Sequence, residues 1–158
     1  MLRGRSGSGK TTLMNLLSAL DYPKSGEILF EGKPIQDLPE HDREQMRKTQ
    51  IGFVFQSVAL IPMMTAYENV EFVLRLAGYK GDRRKRTEEC LKLVGLGSRM
   101  HQPTAELDSN TGLQVMKIFK ELIEKQGVTI VMTTHDTGLM EIADCIYHIE
   151  DGEIADED

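Results

Sequence analysis

Tryptophan is absent from this chain, cysteine occurs only twice, and no excess of basic residues is present. The two cysteines, Cys90 and Cys145, lie far apart and in no pair motif. They read as reduced, small apolar residues of a cytosolic protein, and nothing in their placement asks for a disulfide. Nor does any stretch reach the roughly 18 apolar residues of a membrane span. No signal peptide is expected, because polar residues follow the opening Met1-Leu2-Arg3-Gly4 directly. Any service to a membrane is therefore that of a peripheral partner. The net charge of −6 argues against a nucleic-acid surface, which is usually basic. An anion bound here must be held by local dipoles and a few placed cations. Internal repeats and low-complexity linkers are also lacking. The 158 residues, 40% apolar and 28% charged, suit one domain spanning residues 1–158 around one core.

Punctuation by turn residues divides the chain. Residues 4–12 are rich in Gly, Ser and Thr, and the helix predicted after them carries Leu13, Leu16, Leu17 and Leu20 on one face. Two hairpins are predicted. The first is formed by residues 27–35 around Glu31-Gly32, and the last by residues 145–154 around Asp151-Gly152. A polar helix is expected over residues 40–48. Ile51-Gly52-Phe53-Val54-Phe55 and Val128-Thr129-Ile130-Val131-Met132 read as buried strands. Thr65 and Glu68 form a capping-box pattern that opens a helix with Val70, Val73, Leu74 and Ala77 on one stripe, ending at Gly78. Further helices are expected over residues 82–94, from Asp108 or Ser109 to Gln126, and over residues 136–144. The run Arg83-Arg84-Lys85-Arg86 reads as a solvated helix face.

Gly4-Arg5-Ser6-Gly7-Ser8-Gly9-Lys10-Thr11 fits the spacing G-x-x-x-x-G-K-[ST]. Glycines let such a loop curl until successive backbone N–H groups face one hollow. The hollow opens at a helix N-terminus, whose partial positive charge favours an anion. Gly4, Ser6, Gly7, Ser8 and Gly9 are the candidates for that cradle. Lys10 adds a point charge for outer phosphates. The hydroxyl of Thr11 is a hard ligand suited to Mg²⁺, and Thr12 supplies another hydroxyl. A dinucleotide fingerprint fails, because Thr12 stands where its third glycine would be. Only three residues precede Gly4, too few for a normal strand to feed the loop, so either that strand is a stub or the natural start lies upstream.

Taken in order, this loop, Phe53-Val54-Phe55-Gln56, Leu107-Asp108 and Thr133-Thr134-His135-Asp136 resemble the nucleotide-binding domain of ABC transporters. The stretch of residues 60–70, Leu-Ile-Pro-Met-Met-Thr-Ala-Tyr-Glu-Asn-Val, is similar to the branch serving macrolide export, lipoprotein release and antimicrobial-peptide efflux. The resemblance implies an α/β P-loop NTPase fold, with a parallel sheet flanked by helices, incomplete here. It implies ATP and Mg²⁺ as ligands, an integral membrane permease as partner, a homodimer of such domains, and a place on the inner face of the cell membrane. Gln56 would be the glutamine that meets Mg²⁺ and the attacking water, a task suited to a neutral amide. His135 would set an imidazole N–H on the γ-phosphate. These two are the catalytic candidates, and both would also touch the nucleotide. Asp108 would belong to the dimer-interface loop.

Departures from the family pattern carry equal weight. No Leu-Ser-Gly-Gly-Gln signature and no apolar strand ending in Asp-Glu occurs. Aligning Pro103-Thr104 with the family's Pro-Thr puts His101 at the place of the magnesium-orienting aspartate and Gln102 at that of the catalytic glutamate. An amide cannot accept a proton as a carboxylate does. The resemblance thus implies ATP binding with impaired hydrolysis. Its alternative is a non-catalytic or defective fragment without transport activity. A sheet lacking a central strand leaves backbone groups unpaired, so marginal stability is expected of the chain alone.

Overall fold

The computed structural model describes residues 1–55, 60–104, 112–134, 140 and 143–155. The chain divides into two compact units. One comprises Met1–Gly52 with Thr129–Asp158, the other Phe53–Val128.

In the first unit, strand β1 (Leu2–Arg3) is two residues long. It pairs in parallel with β4 (Tyr147–Glu150), Leu2 opposite Tyr147 and Arg3 opposite His148. On its other side Leu2 makes a single parallel bridge with Thr133, and its N–H donates to Met132 O at 2.8 Å. Strand β4 turns back antiparallel into β5 (Glu153–Ala155). The described sheet is therefore mixed, with order β1-β4-β5. Its turn is the expected Asp151-Gly152 pair, both left-handed at φ 47° and 87°, as a two-residue hairpin of this twist requires. Leu2 and Ile149 are buried in it.

Helix α1 (Lys10–Leu17) follows the glycine loop. The first hairpin forms as β2 (Leu29–Phe30) and β3 (Lys33–Pro34), with Glu31 and Gly32 again at positive φ. Helix α2 (Glu40–Thr49) covers it. Ala19, Ile35 and Met46 make the core of this layer, against Ile28, Phe30, Leu38 and Ile51. Burying Ile35 contributes about 1.5–3 kcal/mol. Ala19, left-handed at φ 56°, ends the α1 turn. Its carbonyl accepts from Arg43 Nη2 at 2.9 Å and Arg47 Nη1 at 2.5 Å. These two guanidinium groups tie the end of α1 to α2. Arg47 also holds the Glu40 carboxyl below its ordinary range, chiefly by a direct hydrogen bond.

In the second unit, α3 (Ala66–Leu76) packs on α4 (Arg83–Leu93). Thr65 and Glu68 form the predicted capping box. The Thr65 N–H, then its hydroxyl, keeps the Glu68 carboxyl below the usual value. Buried Asn69 binds Ile61 N and O, Met64 O and Thr65 O, so this amide stitches the approach loop to the helix. The basic run of α4 is a solvated face, as its composition predicts. Arg83, Arg84 and Arg86 pair with Glu71, Glu88 and Glu89. Helix α5 (Gly112–Gln126) ends at Gly127, φ 64°.

Three expectations fail. Residues 51–55 carry no strand, and Val54 and Phe55 are 78% and 59% exposed. Residues 128–132 carry no strand either. Val128 and Val131 are exposed, and only Thr133 bridges to β1. Both runs have strand composition, but a strand exists only against a neighbour. A two-residue β1 supplies too little edge for the second of them. On α3, Val73 of the predicted inward stripe is 62% exposed, whereas Ala66 and Asn69 are the buried residues. The expected start of α5 at Asp108 or Ser109, and residues 136–139 and 141–142 of the predicted helix over 136–144, lie outside the described residues.

Candidate functional site

The glycine loop is curled and closed on its own lysine. The Lys10 ammonium donates to Gly4 O and Arg5 O, each at 2.7 Å, and to Ser8 Oγ at 3.3 Å. An ammonium has three protons, so these three oxygens account for all of them. Ser8 N–H turns back to Arg5 O at 3.2 Å. Gly7 and Gly9 sit at φ 83° and 100°, a region that side chains rarely adopt. Gly4 is required for a different reason. A Cβ there would lie 2.2 Å from Ile149 O and 2.6 Å from Ser8 Oγ.

The loop ends in Gly9, which serves as the N-cap of α1 without a side-chain cap. The first intrahelical bond runs from Leu13 N–H to Gly9 O at 2.9 Å. The N–H groups of Lys10, Thr11 and Thr12 therefore have no acceptor within the helix. The other described helix starts differ. Thr65 and Glu68 cap α3, Asp82 caps α4, and α2 carries Glu40 and Asp42 in its first turn. The first turn of α1 holds no acidic residue. Of helices α1 to α4, it alone presents open amides with neither cap nor carboxylate. That arrangement suits an anion.

Ser6, Gly7, Thr11 and Thr12 are exposed, while Gly4 and Ser8 are buried behind them. Sequence order thus brings Gly4 to Thr12 together as one cradle. Gln56, His135 and Asp108 lie outside the described residues. His101 and Gln102 belong to the second unit and follow no strand. They sit in a turn pinned to the start of α3. Ala66 N–H donates to Gln102 O at 3.1 Å, Tyr67 N–H donates to Met100 O at 2.8 Å, and the His101 ring lies 5.6 Å from that of Tyr67. The Gln102 amide oxygen accepts from Arg99 at 2.7 Å. A neutral amide in this turn has no carboxylate chemistry to offer.

One supporting element was not legible as such. The Asp151-Gly152 turn reads from sequence only as a hairpin turn. In the structure Gly152 N–H donates to Ser8 O at 3.1 Å, and its Cα lies 3.5 Å from where a Gly9 Cβ would stand. No local pattern joins the two segments, because the contact is tertiary.

Mg²⁺, the ion that accompanies nucleotide phosphates, finds one fitting donor here. Thr11 offers a hard hydroxyl oxygen in the exposed first turn of α1. Among the described residues no group of three His, Cys, Asp or Glu side chains converges.

A family profile described as "ABC transporter" matches residues 1–131. The chain is 34% identical to an uncharacterized ABC transporter ATP-binding protein, MJ0796 of Methanocaldococcus jannaschii, over 99% of this chain and 82% of that one. That alignment runs over 193 positions against 158 residues here, so the relative carries residues without a counterpart in this chain. A solved dimer of the same ATP-binding cassette, in a post-hydrolysis state bound to ADP and Pi, superimposes with a TM-score of 0.82 at 35% identity. It covers 99% of this chain and 83% of that one. The lipoprotein-releasing system ATP-binding protein LolD 2 of Rhodopirellula baltica is 38% identical over 98% of this chain and 75% of its own length. The macrolide export ATP-binding/permease protein MacB of Wolinella succinogenes is 38% identical over 97% of this chain, which spans 28% of it.

Proposed function

This chain belongs to the ABC transporter family as a P-loop ATP-binding component, and we propose that it binds ATP through residues 4–12 but hydrolyses it poorly or not at all. The observation that carries the first half is the closed loop, with Lys10 at its centre and the uncapped amides of α1 behind it. Backbone N–H groups hold the inner phosphates, the Lys10 charge meets the outer ones, and Thr11 holds Mg²⁺. The ion, when bound, neutralises charge on the outer phosphate oxygens. By family position, Gln56 would orient water near the ion and His135 would supply an imidazole N–H to the γ-phosphate.

The second half rests on aligning Pro103-Thr104 with the family's Pro-Thr, which puts His101 and Gln102 at the places of its two carboxylates. A residue that cannot take a proton leaves the attacking water unactivated. The whole chain is read as one partial nucleotide-binding domain. Its partner is an integral membrane permease, in line with the ATP-binding/permease name of MacB. Exposed Val73 and Leu76 on α3 offer apolar contact for it. The same family implies pairing with a second such domain. Among the described residues no helix is long and apolar enough to cross a membrane, in keeping with a peripheral place on the inner face.

A Mg-ATP titration with phosphate release followed on the same sample tests both halves. We expect saturable ATP uptake with release at the protein-free blank. Release clearly above that blank overturns the impaired-hydrolysis reading, and a titration without saturation overturns the binding reading.

A further inference from the structure

We propose that Gly152, in the turn of the β4–β5 hairpin, is a positioning residue for the phosphate loop. The inference rests on the ATP-binding reading above and adds a support to that site. Three contacts place the hairpin behind the loop. Strand β4 pairs in parallel with β1, which runs directly into Gly4. Ile149 O sits so close to Gly4 that no Cβ fits between them. Gly152 N–H donates to Ser8 O at 3.1 Å, beside Gly9.

The last contact has a directional consequence. No peptide bond described here is cis. In a trans peptide the C=O of one residue and the N–H of the next point to opposite sides. Holding Ser8 C=O against the hairpin therefore turns Gly9 N–H away from it, toward the side on which a phosphate must lie. Ser8 N–H is already spent on Arg5 O. Gly9 N–H thus joins the open first-turn amides of α1 as a phosphate donor. Its aim is set by an amide far along the chain.

The turn geometry fits this task. Gly152 is left-handed at φ 87°, and a Cβ there would meet nothing within 4 Å. Asparagine tolerates that φ and retains the N–H. An ester in place of the 151–152 peptide bond removes only the donor. Cys145 is a natural ligation point, so the full chain can be assembled from residues 1–144 and a synthetic piece of residues 145–158 without changing any other residue.

The experiment measures affinity for ATP and for inorganic tripolyphosphate, with the thermal unfolding midpoint alongside. It compares the ligated wild-type chain, the 151–152 ester and Gly152→Asn. We expect the ester to weaken both ligands alike, about five- to tenfold. Gly152→Asn, strained at φ 87° but keeping the N–H, should lose less affinity than the ester. An ester chain that binds both ligands as wild type does overturns the inference and leaves the ATP-binding reading standing. So does an ester that weakens ATP alone, since the amide would then act on the nucleoside side. Failure of the ligated wild-type chain to bind either ligand overturns both readings.

Discussion

Replacing Lys10 with alanine will lower ATP affinity roughly a hundredfold, read by calorimetric titration, while α1 remains helical. The ammonium is the only charge embedded in the loop's own hydrogen bonds, held by Gly4 O, Arg5 O and Ser8 Oγ. Two effects therefore add when it is removed. The outer phosphates lose the attraction of a nearby positive charge. The three loop oxygens lose the donor that draws them together, so the hollow opens. A loss of about 2.7 kcal/mol corresponds to a hundredfold. Lys10→Arg will not restore the affinity, although the charge is kept. A planar guanidinium cannot place three protons on three oxygens around a single nitrogen. If Lys10→Ala binds ATP as well as wild type, the loop's lysine has no part in phosphate binding.

Gly4→Ala is expected to be the most damaging single-methyl change to the fold. The added carbon would stand 2.2 Å from Ile149 O, a backbone atom of β4 that cannot rotate aside. Relief requires β1 and β4 to part, which breaks the ladder between them. Overpacking of this kind costs about 3 kcal/mol, against a total of about 5–15 kcal/mol for a domain. Gly7→Ala is the matched control. There a Cβ meets nothing within 4 Å, and only the positive φ of 83° is penalised, at about 1 kcal/mol. Urea midpoints of the two variants should fall in that order. Equal midpoints would show that the contact between Gly4 and β4 is not made in solution.

The features legible in the sequence are those decided by a few neighbouring residues. Glu31-Gly32 and Asp151-Gly152 set both hairpin turns, and Thr65 with Glu68 sets the start of α3. Glycines at 78, 95 and 127 follow α3, α4 and α5 with left-handed φ. The phosphate loop belongs to the same class, since its spacing alone implies both the curl and the helix behind it. What failed depends on distant partners. Residues 51–55 and 128–132 have the composition of buried strands, but composition cannot provide the edge a strand pairs with. The outward placement of Val73 is likewise decided by how α4 packs, not by the period of α3. Gly152 escaped notice because its turn signal was already explained by the hairpin. Its second role exists only where the hairpin meets Ser8. Gln56 and His135 rest on motif context alone.

If His101 and Gln102 stand at the places of the family's two carboxylates, as proposed, binding and turnover separate. Curl, dipole and lysine all lie within residues 4–12, so they persist whatever the rest of the family's machinery has become. Chemistry needs a proton acceptor, and Gln102 is not one. Its backbone and side chain are already engaged with Ala66 and Arg99.

The central claim is that main-chain amides of the loop grip the phosphates. It is tested most directly by amide ¹⁵N–¹H spectra recorded while ATP, and separately inorganic tripolyphosphate, is added to the full chain. The account predicts large saturable shifts at Gly7, Gly9, Lys10 and Thr11 with either ligand, at one common midpoint for each. Shifts that leave these four amides untouched, or that arise only with the nucleoside present, would contradict it.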